Sequence, residues 1–118
     1  PLMPAAGIAV MEELTKPGFL EKVAETGAYL TARLEDLSRQ RGCGGVRGRG
    51  LLLALDLKRP IGTQLVERAR DKGLLINAPR PDCLRFMPAL TVSRSEIDLM
   101  IAILGGVMAE VGAPAMAK

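Results

Sequence analysis

Arg85 stands apart from the other residues able to do chemistry. The run Cys83-Leu84-Arg85-Phe86-Met87 sets a guanidinium between apolar neighbours on a short strand, just before the proline-closed loop at Pro88. An arginine held there offers a fixed fork of donors to a planar carboxylate. A strand arginine can equally project into solvent, and position alone leaves both readings open. The remaining candidates carry less. Val46-Arg47-Gly48-Arg49-Gly50 could be a phosphate-cradling loop or an arginine-glycine nucleic-acid segment. A phosphate loop lies between a strand and the start of a helix, whereas these glycines run straight into apolar sequence, so a bulged or closely approached strand start is the favoured reading.

Glu12-Glu13 and Glu35-Asp36 are adjacent on helical stretches. Neighbouring helical residues point in different directions, so neither pair can flank one substrate bond. Lys16, Lys22, Lys58, Lys72 and Lys118 fall at expected helix surfaces, loops or the tail, where nothing lowers an ammonium pKa enough for Schiff-base chemistry. With two cysteines, Cys43 and Cys83, and no histidine, neither a structural zinc cluster nor a Cys-His nucleophile can be assembled.

The bulk properties set limits on what must position these groups. A chain of 118 residues fits one domain able to bury its own core. It is 48% hydrophobic, with mean hydropathy +0.20, and this richness predicts that some apolar surface lies against a partner. Runs such as Leu51–Leu55 are far shorter than the roughly 20 residues a membrane span needs. The first residues carry no signal-peptide pattern, which points to the cytoplasm. The net charge is +3, but acidic and basic residues are interspersed and aromatics make up 3%, which argues against nucleic-acid binding.

Periodicity gives the order of elements. Ala5–Leu14 predicts a short helix. A second runs from Pro17 to about Gln40, because Leu20, Val23, Gly27, Leu30, Leu34 and Leu37 alternate steps of three and four. That stripe lasts under three heptads and contains Gly27, so it fits packing on a sheet better than a coiled coil. Gly42, Gly44 and Gly45 end the helix. A strand is expected over Val46–Leu57, a helix after Pro60 carrying Leu65, Val66 and Ala69 with Gly73 as its C-terminal glycine, and a short strand over Leu74–Asn77. Pro79 and Pro81 bracket a turn, and Leu84–Met87 forms the third strand. Ser93 and Glu96 have capping-box spacing and start a last helix through Ile97, Met100, Ile101, Leu104 and Val107. The fold class is therefore α+β, a small, mainly antiparallel sheet of about three strands with helices on one face.

Three segments together resemble the C-terminal small domain of class III pyridoxal-phosphate-dependent aminotransferases. They are Val46-Arg47-Gly48-Arg49-Gly50-Leu51-Leu52, Gly73-Leu74-Leu75-Ile76-Asn77, and Leu84-Arg85-Phe86-Met87-Pro88-Ala89-Leu90-Thr91-Val92-Ser93. The last is the most specific and is most similar to the acetylornithine and succinylornithine group. Pro1-Leu2 resembles the end of a glycine-glycine-asparagine-proline-leucine segment of the family, whereas Pro4 departs from its usual small or apolar residue. The resemblance implies a domain over residues 1–111, of which 1–15 form a connecting helix from a large domain, followed by a tail over 112–118. It implies that Arg85 binds the α-carboxylate of amino-acid and 2-oxo-acid substrates, and that the parent is a homodimer holding pyridoxal 5′-phosphate on a lysine of the large domain.

The cofactor lysine, the acidic partner of the pyridine nitrogen and the threonine reaching the neighbouring subunit's cofactor phosphate lie upstream in the family. The segment itself is thus expected to hold no catalytic, cofactor-binding or metal-binding residue and to be inactive alone. The implied parent reaction transfers an amino group from N-acetylornithine, or a related ω-amino acid, to 2-oxoglutarate in arginine biosynthesis. The alternative is a free-standing, non-catalytic interaction domain of the same fold.

Overall fold

The computed structural model describes residues 2–116, with side chains described from Pro4 to Gly112; Pro1 and Lys118 lie outside the described residues. Four helices and four strands follow in the order α1 (Leu2–Leu14), α2 (Phe19–Arg41), β1 (Gly45–Arg49), β2 (Leu52–Asp56), α3 (Gly62–Asp71), β3 (Asn77–Arg80), β4 (Cys83–Phe86) and α4 (Arg94–Met116). The strands form one antiparallel sheet in the order β1-β2-β4-β3. The α+β class stands, with four strands rather than three.

The additional strand has a local cause. A single strand is expected over Val46–Leu57, but Gly50 takes φ 55°, a left-handed conformation open to glycine, and the chain reverses there. Arg49 pairs with Leu52, so Gly50 and Leu51 are a two-residue hairpin loop with glycine at its first position. The strand expected over Leu74–Asn77 is displaced to Asn77–Arg80, and Leu75 is 82% exposed. Pro79 lies inside β3 rather than at a turn. β3 is an edge strand, where a missing N–H leaves no ladder bond unmade, and Pro81-Asp82 makes the turn into β4.

Helix ends follow local chemistry. α1 begins at Leu2 rather than Ala5, and α2 begins at Phe19, after Gly18 at φ 81°. Gly42 closes α2 in a left-handed conformation, and the Cys43 N–H donates back to the Ser38 carbonyl at 2.9 Å. After α3, Gly73 takes φ 86°; its N–H donates to the Arg70 carbonyl and that of Leu74 to the Ala69 carbonyl, a paired closure of the last turn. At the start of α4 the Ser93 N–H donates to Glu96 Oε1 at 2.9 Å and the Glu96 N–H to Ser93 Oγ at 3.1 Å. Both orphan donors of the capping box are thereby satisfied. Helical geometry in α4 continues to Met116, past Gly112 where a tail is expected.

The core lies between one face of the sheet and the helices. Leu30, Leu34 and Leu37 of α2 meet Leu53 and Leu55 of β2, Leu84 and Phe86 of β4, and Ile97, Ile101 and Leu104 of α4. Leu20 of the same α2 stripe is exposed, one turn before the helix reaches the sheet. Gly27 sits where α2 crosses the hairpin tip: a Cβ there would lie 2.8 Å from the Gly50 carbonyl carbon and oxygen. The glycine inside the helical stripe is a close-approach residue. α1 packs little of itself; Ile8, Val10 and Met11 are all more than half exposed. No helix among the described residues is long and apolar enough to cross a membrane.

Candidate functional site

Strand alternation decides which residues reach the open face of the sheet. Leu53 and Leu55 in β2, and Leu84 and Phe86 in β4, turn to the helices, so Ala54 and Arg85 between them turn away. Register extends the row across the sheet: Arg47 of β1 is opposite Ala54, Ala54 opposite Arg85, and Arg85 opposite Asn77 of β3. Arg85 therefore stands in a central strand, flanked by a side chain no larger than a methyl group and by a carboxamide.

Arg85 is half-buried, and its Nε is buried with no hydrogen-bond partner among the described residues. A buried donor on a cation without a partner carries a desolvation cost that a carboxylate in the same place would offset. Nε of Arg33 and of Arg41 on α2 is likewise buried without a hydrogen-bond partner, so what sets Arg85 apart is its place on a central strand. It also borders a groove of about 420 Å³, whose other walls include Leu74, Ile76, Met87 and Met100. Asn77, on the same groove, offers both a donor and an acceptor beside the guanidinium.

Arg47 is an exposed residue of the same face that its position in the glycine run does not single out. Its Nη2 lies 4.0 Å from Cys83 Sγ, so the side chain crosses β2 toward β4 instead of hanging off the sheet edge. Neither Arg47 nor Arg85 takes part in an ion pair among the described residues. Nothing in the sequence distinguishes Arg47 from Arg49; only register aligns the former with Arg85. The run itself is an edge strand and a hairpin loop leading into another strand, so it presents no helix N-terminus to a phosphate.

The other groups are placed away from this face or are unsuited to reaction. Lys16, Lys22, Lys58 and Lys72 are all exposed, away from any enclosed site. These residues do not fit the attachment of an aldehyde cofactor. The carboxylates of Glu12-Glu13 and Glu35-Asp36 are exposed on α1 and α2. Cys83 is buried and Cys43 half-buried, both as free thiols. Burial pushes the Cys43 thiol up, with the Arg59 charge only partly opposing it, which keeps it protonated and weakly nucleophilic.

The family described as aminotransferase class-III matches residues 1–108. Acetylornithine aminotransferase of Ralstonia nicotianae is 58% identical over 107 residues, covering 88% of this chain and 27% of the relative. Acetylornithine aminotransferase 2 of Bordetella parapertussis is 46% identical over 114 residues, covering 94% of this chain and 29% of the relative. Among solved structures, lysine aminotransferase from M. tuberculosis superposes with a TM-score of 0.81 at 30% identity, over 86% of this chain and 24% of that one. The chain thus spans between 24% and 29% of the length of these proteins.

Proposed function

The chain belongs to the class-III aminotransferase family, and from that premise we propose that it is the small domain, residues 1–111, of a pyridoxal-phosphate-dependent enzyme in which Arg85 binds the substrate α-carboxylate. The observation that carries the reading is the half-buried guanidinium of Arg85 on the open sheet face, with its Nε unpartnered. A carboxylate accepting from that fork is fixed in plane and direction, which orients the adjoining carbon for reaction. The names of the relatives favour N-acetylornithine as amino donor. With 2-oxoglutarate as acceptor, the reaction would serve arginine biosynthesis in the cytoplasm.

Pyridoxal 5′-phosphate is the cofactor proposed for the parent, held by residues outside this segment, since its described lysines are all exposed. The segment alone is inactive on this reading. The apolar, exposed α1 supports a place for residues 1–15 as the connection to a large domain, with a second subunit completing a homodimer.

The test is amino transfer from N-acetylornithine to 2-oxoglutarate by the complete protein, comparing the native chain with Arg85→Ala and Arg85→Lys. Loss of a bidentate, charge-assisted contact is expected to lower kcat/KM by about two to four orders of magnitude, with lysine restoring little, while the cofactor's absorbance is unchanged. Near-native activity of Arg85→Ala would refute the assignment.

A further inference from the structure

We infer that Asn77 is a second donor to the carboxylate that Arg85 holds: its carboxamide N–H donates to the same oxygen that accepts from Arg85 Nε. The inference rests on the proposed role of Arg85 and adds to it a neutral residue of the neighbouring strand.

Backbone alternation sets Asn77 on the face of Arg85. Ile76 and Ala78 both pack against the core, so Asn77 between them turns the other way, as Arg85 does between Leu84 and Phe86. The two residues are directly opposite in the β3–β4 ladder, which brings their Cβ atoms to roughly 4.5–5.5 Å of one another. An asparagine amide nitrogen stands two bonds beyond Cβ and an arginine Nε three, so the carboxamide is level with Nε rather than with the tips of the guanidinium.

No other side chain is placed to do this. On its opposite flank Arg85 meets Ala54, which ends in a methyl group. Among the described side chains lining the groove of about 420 Å³, only Asn77 and Arg85 carry N–H donors. Glu96, the remaining polar one, is an acceptor already engaged by the Ser93 N–H at 2.9 Å. The Asn77 side chain enters no hydrogen bond among the described residues, and Arg85 Nε has no partner there either. Two adjacent free donors on the wall of an apolar groove, one cationic and one neutral, match an anion with two oxygens in a plane. The amide adds a donor without drawing off the arginine's charge, as a carboxylate at position 77 would.

The test is amino transfer by the complete holoenzyme with Asn77→Ala and Asn77→Asp, measured for the amino donor and for the 2-oxo acid acceptor, together with urea unfolding of each variant. Asn77→Ala is expected to lower kcat/KM roughly 10- to 100-fold for both substrates, the loss of one hydrogen bond to a charged group that both present. Asn77→Asp keeps the shape and the acceptor but puts a negative charge where the donor stood, and is expected to lose more than Asn77→Ala. Unfolding midpoints and the cofactor's absorbance stay at native values. Native-like kcat/KM in either variant overturns the inference, as does a loss confined to one of the two substrates or one accompanied by a lowered unfolding midpoint. Failure of the Arg85 reading shows separately, as near-native activity of Arg85→Ala.

Discussion

Gly27→Ala is expected to destabilise this chain although alanine is the better helix former. In the interior of a helix, alanine in place of glycine gains about 1 kcal/mol from backbone entropy. At Gly27 the new Cβ would lie 2.8 Å from the Gly50 carbonyl carbon and oxygen and 2.9 Å from its Cα, against an ordinary carbon contact of about 3.5–4.0 Å. Gly50 cannot turn aside cheaply, because it is the loop between the paired residues Arg49 and Leu52 and holds φ 55°. Overpacking of this kind costs about 1–3 kcal/mol, so the net change runs from about zero to about 2 kcal/mol of lost stability.

Gly106→Ala is the matched control. It makes the same chemical change in the interior of α4 at an exposed site with nothing within 4 Å of the added methyl, and should stabilise by about 1 kcal/mol. Urea unfolding of the two variants, followed by circular dichroism, should separate their midpoints by on the order of 1 M. Equal stabilisation by both would refute the close approach of α2 to the hairpin tip.

Leu84 is fully buried in the central strand β4, so Leu84→Ala should cost about 2–5 kcal/mol in the same urea measurement, and a cost under about 1 kcal/mol would place β4 at the periphery. Ser93→Ala removes the acceptor for the Glu96 N–H and should cost about 1 kcal/mol. The hydrogen bond from the Ser93 N–H holds the Glu96 carboxyl below its ordinary value of 4.5. Its contribution is therefore complete above pH 4.5 and is lost as pH falls through the lowered folded value. The stability difference between native chain and Glu96→Gln should shrink on acidification through that window, and a difference independent of pH would remove the carboxylate from the cap.

Much of the helical layer was determined by local sequence. Leu30, Leu34 and Leu37 recur with the period of a helix face, and all three are buried. Glycine at positions 42 and 73 fits left-handed closure, and Ser93 with Glu96 fits a reciprocal cap, because each device acts within one turn of backbone. Arg85 was also legible as a candidate, by its residue type and by the family motif that carries it.

Tertiary structure decided the rest. A stretch such as Val46–Leu57 has the same composition whether it is one strand or two; Gly50 permits the reversal, and the pairing of β2 with β4 across the chain fixes where β2 lies. Likewise β3 forms at Asn77–Arg80, against β4, at the sheet edge where Pro79 can be tolerated. Which face a strand arginine occupies is set by register, and register is fixed by burying Leu53, Leu55, Leu84 and Phe86 together. Sequence supplied the arginines at 47 and 85; pairing between distant strands put both on the open face, in one row.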